Sequence, residues 1–448
     1  SYNIVLKMVF IVGLILIFLI PLLMIRSMVN ERRNRNFQAE EEITALWGGS
    51  QVLAGPYIAV PYRFTFKEDR ETKEGLSYII LLPEKLSVTG DMTTELRSRG
   101  IYSVPVYETG LALSGHFTRP DLRQLRVPEK DIFWDQALFV LELPDMRALQ
   151  AEANLVWSGE PLKLRNDVSR ARIFLSGIQT ELPAGWNLRE KTAWSVNLKL
   201  RGAKSLSFLP LGATTEISLT STWASPSFSG SFLPRDREVG EKGFSASWYV
   251  VSLARNYPDM WKAGDVDTGT ILASEFGVEL FKPVDLYTKV ERSVKYGILF
   301  VFLPFLTFFL FEIFSKNRIH IFQYLMIGAA NIVFYLLLLS LSEQIGFNPA
   351  YIIGAAATTG LIVFYSSAVL ATKRQGYVMA PVLIGLYVFL YAALQSEDYA
   401  LLIGSIGLFA LVAAVMVITR KVQWYNLNRQ GMQASGGEPP VQPPAARD

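Results

Sequence analysis

The sequence predicts an α+β membrane protein: six transmembrane helices, one an N-terminal anchor and five a C-terminal bundle, with a large β-rich, sandwich-like domain inserted between them. Three observations predict it. Half of the 448 residues are hydrophobic and only 19% are charged, against about a quarter in ordinary soluble domains. The apolar residues gather at the start of the chain and in its last third. Between these regions the composition is that of a soluble domain, written in short alternating runs separated by turn residues.

Apolar runs long enough to cross about 30 Å of hydrocarbon fall at about 4–25, 296–314, 321–341, 349–371, 377–395 and 399–419. The first is too long for a signal-peptide core, and "IPLLMIRSMVNERR" offers no small-x-small cleavage site, so residues 1–26 read as an uncleaved anchor. Lys316 and Arg318, Lys373 and Arg374, and Arg420 and Lys421 fall on one side of an alternating six-span path. The opposite short loops, "SEQIGFN" and "QSED", contain neither Lys nor Arg. The positive-inside bias makes the basic side cytoplasmic, with both termini there, and places residues 27–292 outside, in the periplasm of a Gram-negative cell. Arg26, Arg32, Arg33 and Arg35 break the rule, which is weak ahead of a long translocated domain. The stretch 421–448, rich in Pro, Gly and Ala, reads as a mostly disordered cytoplasmic tail.

Residues 27–49 read as a helical extension of the anchor that stops at Gly48-Gly49, with "EEE" at 40–42 as a solvated face. Residues 50–292 read as the β-rich periplasmic domain. "SYIILL", "YSVPVY", "ALFVLEL", "SVNLKL" and "FSASWYVV" are strand-like, and turn signals recur every 8 to 12 residues, as in a sandwich. This is more chain than one sandwich needs. "ALSGHF" (112–117) and "SFSGSF" (227–232) share an S-G-x-F core, so a duplication into two lobes is one account of the excess. Residues 293–420 read as the five-helix bundle.

A net charge of +3 gives no bulk attraction for nucleic acid, and no nucleic-acid partner is expected. Without Cys there is no disulfide, thiolate metal site, Fe–S cluster or cysteine nucleophile. The sequence contains no G-x-S-x-G elbow, no H-E-x-x-H and no phosphate-cradling glycine loop, so no catalytic residue, cofactor or metal is assigned. His116 is the only histidine of the inserted domain, and a lone His on a strand is far more often structural than catalytic.

The intramembrane polar residues remain. A charge costs roughly 2.5–3.5 kcal/mol at a helix centre and far less near the interface. Glu343 follows the apolar residues of the third span, and Glu397 and Asp398 fill the gap between the fifth and sixth. All three read as outer-interface residues that need no special partner. Glu312 lies near the end of the second span, with Lys316, Arg318 and His320 in reach of a local salt bridge. Gln323 and Asn331 are deeper, where neutral amides commonly bond between helices. Gly328-Ala329-Ala330, Gly354-Ala355-Ala356-Ala357 and Gly404-Ser405 provide small faces for close helix approach. Glu312, His320, Gln323, Asn331, Glu343, Glu397 and Asp398 are therefore the candidate functional polar cluster. They are either hairpin caps with a local ion pair, or the lining of an ion route. "QSED" is so short that its flanking spans form a tight hairpin, whose acids with Glu343 would make an acidic docking patch on the outer surface.

"ERSVKYGILFVFLPFLTFFLFEIFSKNRIHIFQYLMIGAANIVFYLLLLSLSEQIGF" and "QSEDYALLIGSIGLFALVAAVMVITRKVQWY" resemble the CreD family of bacterial inner-membrane proteins. So do "GPYIAVPY", "STWASPSFSGSFLP" and "GFSASWYVVSLAR" in the inserted part. The resemblance runs from the anchor to about residue 425, with Gln344 where the family pattern usually has His. It implies a Gram-negative inner-membrane protein associated with cell-envelope integrity and often controlled by a two-component system. It implies no established activity, cofactor or catalytic residue. One function class is then a non-enzymatic component, set in the lipid bilayer, that binds other inner-membrane or envelope proteins or a second copy of itself. Another is transport or handling of a small ion or lipid by the bundle. A membrane hydrolase built around His116 or His320 is the third.

Overall fold

The computed structural model describes residues 4–68, 71–118, 121–166, 176–183, 191–280, 286–315, 319–370, 373–396 and 399–420. The chain divides into two compact units, Asn36–Pro283 on the one hand and Ser1–Arg35 with Val284–Asp448 on the other. The first helix, α1 (Ile4–Trp47), contributes to both. Its end follows the local sequence. Gly48 and Gly49 take φ of +96° and +74°, a conformation that costs glycine little. The Gly49 N–H donates to the Thr44 carbonyl at 2.9 Å, closing the last turn.

In the Asn36–Pro283 unit, two long hairpins come first. β1 (Gln51–Glu68) pairs with β2 (Glu71–Leu81), and β3 (Lys85–Arg99) with β4 (Tyr102–Phe117). β1 then joins β5 (Leu138–Glu142) in a nine-stranded sheet, while β3 and β4 lie within an eight-stranded one. In the long strands of the eight-stranded sheet, alternation puts one face inside. In Thr192–Ala203, for example, Trp194, Val196, Leu198 and Leu200 are buried and Asn197 and Lys199 exposed. Ile58, Val60 and Phe139 from the first sheet share one core cluster with Val88, Leu113 and Leu198 from the second, which is the arrangement of a sandwich. Both sheets are mixed, because β1 runs parallel to Ser205–Phe208 and β3 parallel to Thr214–Ser221.

Two expectations change here. The S-G-x-F matches are not equivalent: "ALSGHF" lies in β4, central in the eight-stranded sheet, whereas "SFSG" lies in Pro226–Gly230, at the edge of the other. One unit with one main core replaces two related lobes. The acids at 40–42 are also not simply solvated. Glu42 pairs with Arg99, and Glu40 lies 3.7 Å from Lys204. Ile43 and Trp47 pack on Val104, Val106 and Ala203, and the guanidinium groups of Arg97 (4.6 Å) and Arg201 (5.3 Å) lie over the indole of Trp47. The short helix α2 (Thr268–Leu272) is capped by Asp267.

β5 carries a carboxylate into the interior. Glu142 is fully buried and accepts a 2.5 Å hydrogen bond from the hydroxyl of Tyr57, which is also fully buried. Tyr57→Phe removes one donor from this buried carboxylate, at a cost of about 1–3 kcal/mol. A lowered thermal midpoint of the β unit in the full chain checks this. A midpoint like the parent's would mean that other groups satisfy Glu142.

The other unit holds the first part of α1, then α3 (Leu286–Lys295), α4 (Gly297–Ser315), α5 (Ile321–Ile345), α6 (Phe347–Val369), α7 (Lys373–Gln395) and α8 (Ala400–Thr419). Six helical stretches among the described residues are long and apolar enough to cross a membrane: α1, α3 continuing into α4, and α5 to α8. α1 buries Leu14, Phe18, Leu22, Ile25 and Val29, a stripe in steps of three or four residues. Glycines receive two of these side chains. A Cβ at Gly328 would strike the Phe18 ring, and one at Gly297 would come within 2.6 Å of Leu22. Small residues thus let the helices approach closely, as expected where lipid removes the hydrophobic drive for association.

Candidate functional site

The polar groups of the bundle unit fall into three places along α5. At its start, His320 is the N-cap: its side chain accepts from Phe322 N–H while Gln323 Oε1 accepts from His320 N–H at 3.0 Å. This reciprocal arrangement satisfies two of the open donors at the helix start. Gln323 therefore caps its own helix instead of bonding a neighbouring one.

Glu312, on α4, is next to this turn, and its observed ion-pair partner is not local. Lys7 of α1, 305 residues earlier, places its ammonium on the Glu312 carboxylate and donates to the Ile319 carbonyl at 2.6 Å. The Tyr324 hydroxyl also donates to Glu312, at 3.3 Å, and the Tyr324 ring lies 5.4 Å from the ammonium. The side chains of Lys7 and Glu312 are only 10% and 5% exposed. The expected local bridge to Lys316 or Arg318 falls outside the described residues, and His320 is occupied in its cap.

About 10 Å further along α5, at 1.5 Å per residue, Asn331 is fully buried. Its amide donates to Ile327 O of its own helix at 3.0 Å, and its carbonyl oxygen has no hydrogen-bond partner among the described residues. The interhelical bond expected of it is absent from that set. One turn on, the buried Tyr335 hydroxyl is likewise unpartnered there. Rings crowd around: Phe300, Phe334, Tyr351 and Tyr387 lie with centroids 4.8–6.3 Å apart in successive contacts. Tyr351 donates to the Tyr387 carbonyl at 2.7 Å, joining α6 to α7.

Near the far end of α5, about 28 Å from Tyr324, stands Glu343. It lies in the last helical turn, since α5 continues to Ile345 and Gly346 alone (φ +81°) separates it from α6. It does have partners: the Tyr287 hydroxyl donates to it at 3.1 Å, and Arg32 Nε lies at 3.9 Å. Glu291 on α3 similarly takes Arg33 at 3.0 Å and Arg26 at 3.6 Å. Three of the four arginines that break the positive-inside count are thus compensated by acids of α3 and α5, and the fourth, Arg35, pairs with Glu31 of its own helix at 2.6 Å. Glu397 and Asp398 lie outside the described residues, so the expected acidic patch rests on Glu343 alone, and that residue is paired with Arg32.

Lys7, Tyr324, Tyr287 and Glu291 are the members that sequence reading missed. Lys7 had a signal: it is a lone charge in "IVLKMVFIV", and such residues need a partner. In the β unit, His116 forms a triangle with Glu84 (3.5 Å) and Lys191 (3.4 Å). Partial burial alone would raise the Glu84 carboxyl, but hydrogen bonds from Lys191 and Thr118 outweigh it and hold the group below its ordinary value. This is an ion-paired corner of the sheet surface.

Comparison with known proteins adds two matches. A family model described as "Inner membrane protein CreD" matches residues 3–425. The Inner membrane protein CreD of Escherichia coli (strain K12) is 34% identical over 433 residues, covering 96% of this chain and 95% of the relative. Among solved structures, a mutant M1 zinc metallopeptidase from Deinococcus radiodurans aligns with 38% of this chain and 39% of its own at 10% identity and a TM-score of 0.19, a likeness that carries no argument.

Proposed function

The chain belongs to the CreD family of inner membrane proteins, and from that premise we propose that it is a non-enzymatic component of the cell envelope whose β unit binds other envelope proteins. The bundle anchors it in the lipid bilayer. The loop bias in Lys and Arg supports a cytoplasmic side for the basic loops and a periplasmic place for the β unit. One observation carries the reading. Large apolar side chains stand exposed on the β unit, outside every candidate span: Phe64 (38%), Leu76 (66%), Leu233 (68%) and Leu253 (96%). Lone exposed apolar residues such as Leu233 and Leu253 are ordinary, but Phe64, Phe66 and Leu76 are exposed together on the β1–β2 hairpin, and such a concentration marks an interaction surface.

The test is gentle extraction from native membranes after cross-linking, with the mass and composition of the particle determined. A recurrent envelope protein in defined proportion is expected. A particle of this chain alone, cross-linked to nothing else, would overturn the reading.

The buried polar column of α5 favours a second reading, in which the bundle passes a small ion or handles lipid. Tyr324, Asn331 and Tyr335 lie buried along one face of it, with Glu312 at one end, Glu343 in the last turn at the other, and Glu397 and Asp398 as further candidates by sequence. Purification of the chain alone would move the case to this column.

A further inference from the structure

The outer parts of β1 and β2 leave the sheet as a free two-stranded ribbon. Past the bridge between Tyr62 and Ile132, residues 63–67 of β1 and 71–74 of β2 are exposed. No third strand pairs with either edge there among the described residues: β5 reaches β1 only up to Ala59, and Met260–Lys262 reaches β2 only up to Ile79. An isolated ribbon is marginally stable, and this one is braced. The Phe64 ring covers Gly75, where a Cβ would come within 2.7 Å of it. The Phe64 ring also lies 6.1 Å from that of Tyr62 and 5.7 Å from that of Phe66, and Arg63 reaches Glu74 at 3.4 Å.

The two faces of the β1 edge differ in chemistry. Successive strand residues point to opposite sides, so Phe64 and Phe66 lie on one face and Arg63, Thr65 and Lys67 on the other. Along the open edge, alternate residues offer N–H and C=O groups that no strand takes up. Such an edge accepts an extended chain by continuing the ladder, while the alternating side chains choose the sequence.

We infer that the open edge of β1 over Arg63–Lys67 is the docking edge for an extended segment of a partner protein in which apolar and acidic residues alternate. Its apolar residues lie along Phe64 and Phe66, its carboxylates face Lys67 and draw Arg63 from its exposed pair with Glu74, and its backbone closes the unfilled ladder. The inference rests on the protein-binding reading above and says where on the β unit that binding takes place.

Two measurements on the full-length chain test it. In detergent micelles, the chain is titrated with a fluorescent peptide alternating Val with Asp and Glu, with a peptide alternating Val with Lys, and with the acidic peptide N-methylated at every second residue. The acidic peptide is expected to bind at least tenfold more tightly than either other. The Arg63→Glu/Lys67→Glu chain, with an unchanged thermal midpoint, is expected to prefer the basic peptide. Similar binding of all three peptides, or an unaltered preference in the variant, overturns the inference. In native membranes, a photo-cross-linking amino acid in place of Thr65 is expected to give an adduct with another protein that Lys67→Glu abolishes. An adduct with the mass of two chains means that a second copy fills the edge, which overturns the inference. Adducts formed from Leu253 but not from Thr65 overturn the docking edge while leaving the protein-binding reading intact. Adducts from neither position take away both.

Discussion

Glu312→Ala is expected to destabilise the bundle strongly, because it takes from the largely buried Lys7 ammonium the carboxylate it rests on. Insertion scales put an unpaired Lys at roughly 2.5–3.5 kcal/mol at mid-membrane, and breaking a buried pair from one side typically costs about 3–5 kcal/mol. Removing both charges is different. Lys7→Met with Glu312→Met exchanges a desolvated ion pair for apolar contact and is expected to lie close to the parent. Exchanging the two, Lys7→Glu with Glu312→Lys, is expected to recover most of the loss. Thermal unfolding midpoints of the purified chain, read as a double-mutant cycle, give the coupling between the two positions. Equal losses in Glu312→Ala and in the double Met variant would show that the pair does not hold α1 to α4.

Phe139→Ala carries the second large effect, in the other unit. Its ring is fully buried, with centroids 5.8 Å from Trp194, 6.1 Å from Trp157 and 6.5 Å from Phe117. It comes from one sheet and its three partners from the other region of the sandwich core, so truncation opens a cavity where the layers meet. The expected cost is about 3–5 kcal/mol, a midpoint drop on the order of 10 °C for a unit of this size. Tryptophan emission reports it directly, because Trp157 and Trp194 line the cavity. Leu253→Ala, at a side chain 96% exposed, is the control and is expected to leave the midpoint unchanged. Equal behaviour of the two variants would remove this aromatic cluster from the core.

Local pattern made the elements legible. Apolar runs of about 20 residues specify spans because each backbone group must be satisfied within its own helix. Period-two alternation in "TAWSVNLKL" specifies a strand with one face inside. Gly48-Gly49 specifies the end of α1, since it needs no distant residue to take positive φ. The candidate site was legible only as a set of residue types. His320 and Gln323 stand three apart at a helix start, the spacing of a reciprocal cap, but an amide inside a membrane span is equally suited to interhelical bonding, and only the fold chooses.

The sequence by itself determined that this chain has six apolar spans around a β-rich insertion, that Asn331 lies deep in one of them, and that Glu312 stands near the end of another with basic residues beyond it. The tertiary structure alone decided that Glu312 pairs with Lys7, that Glu343 belongs with Tyr287 and Arg32, that "ALSGHF" and "SFSG" are unrelated in place, and that the end of the first hairpin stands clear of its sheet. The reason is physical. Periodicity and propensity act over a few residues and fix which face of an element is apolar, whereas a charge or an open strand edge is satisfied by whatever packing brings near, here across as many as 305 residues of chain.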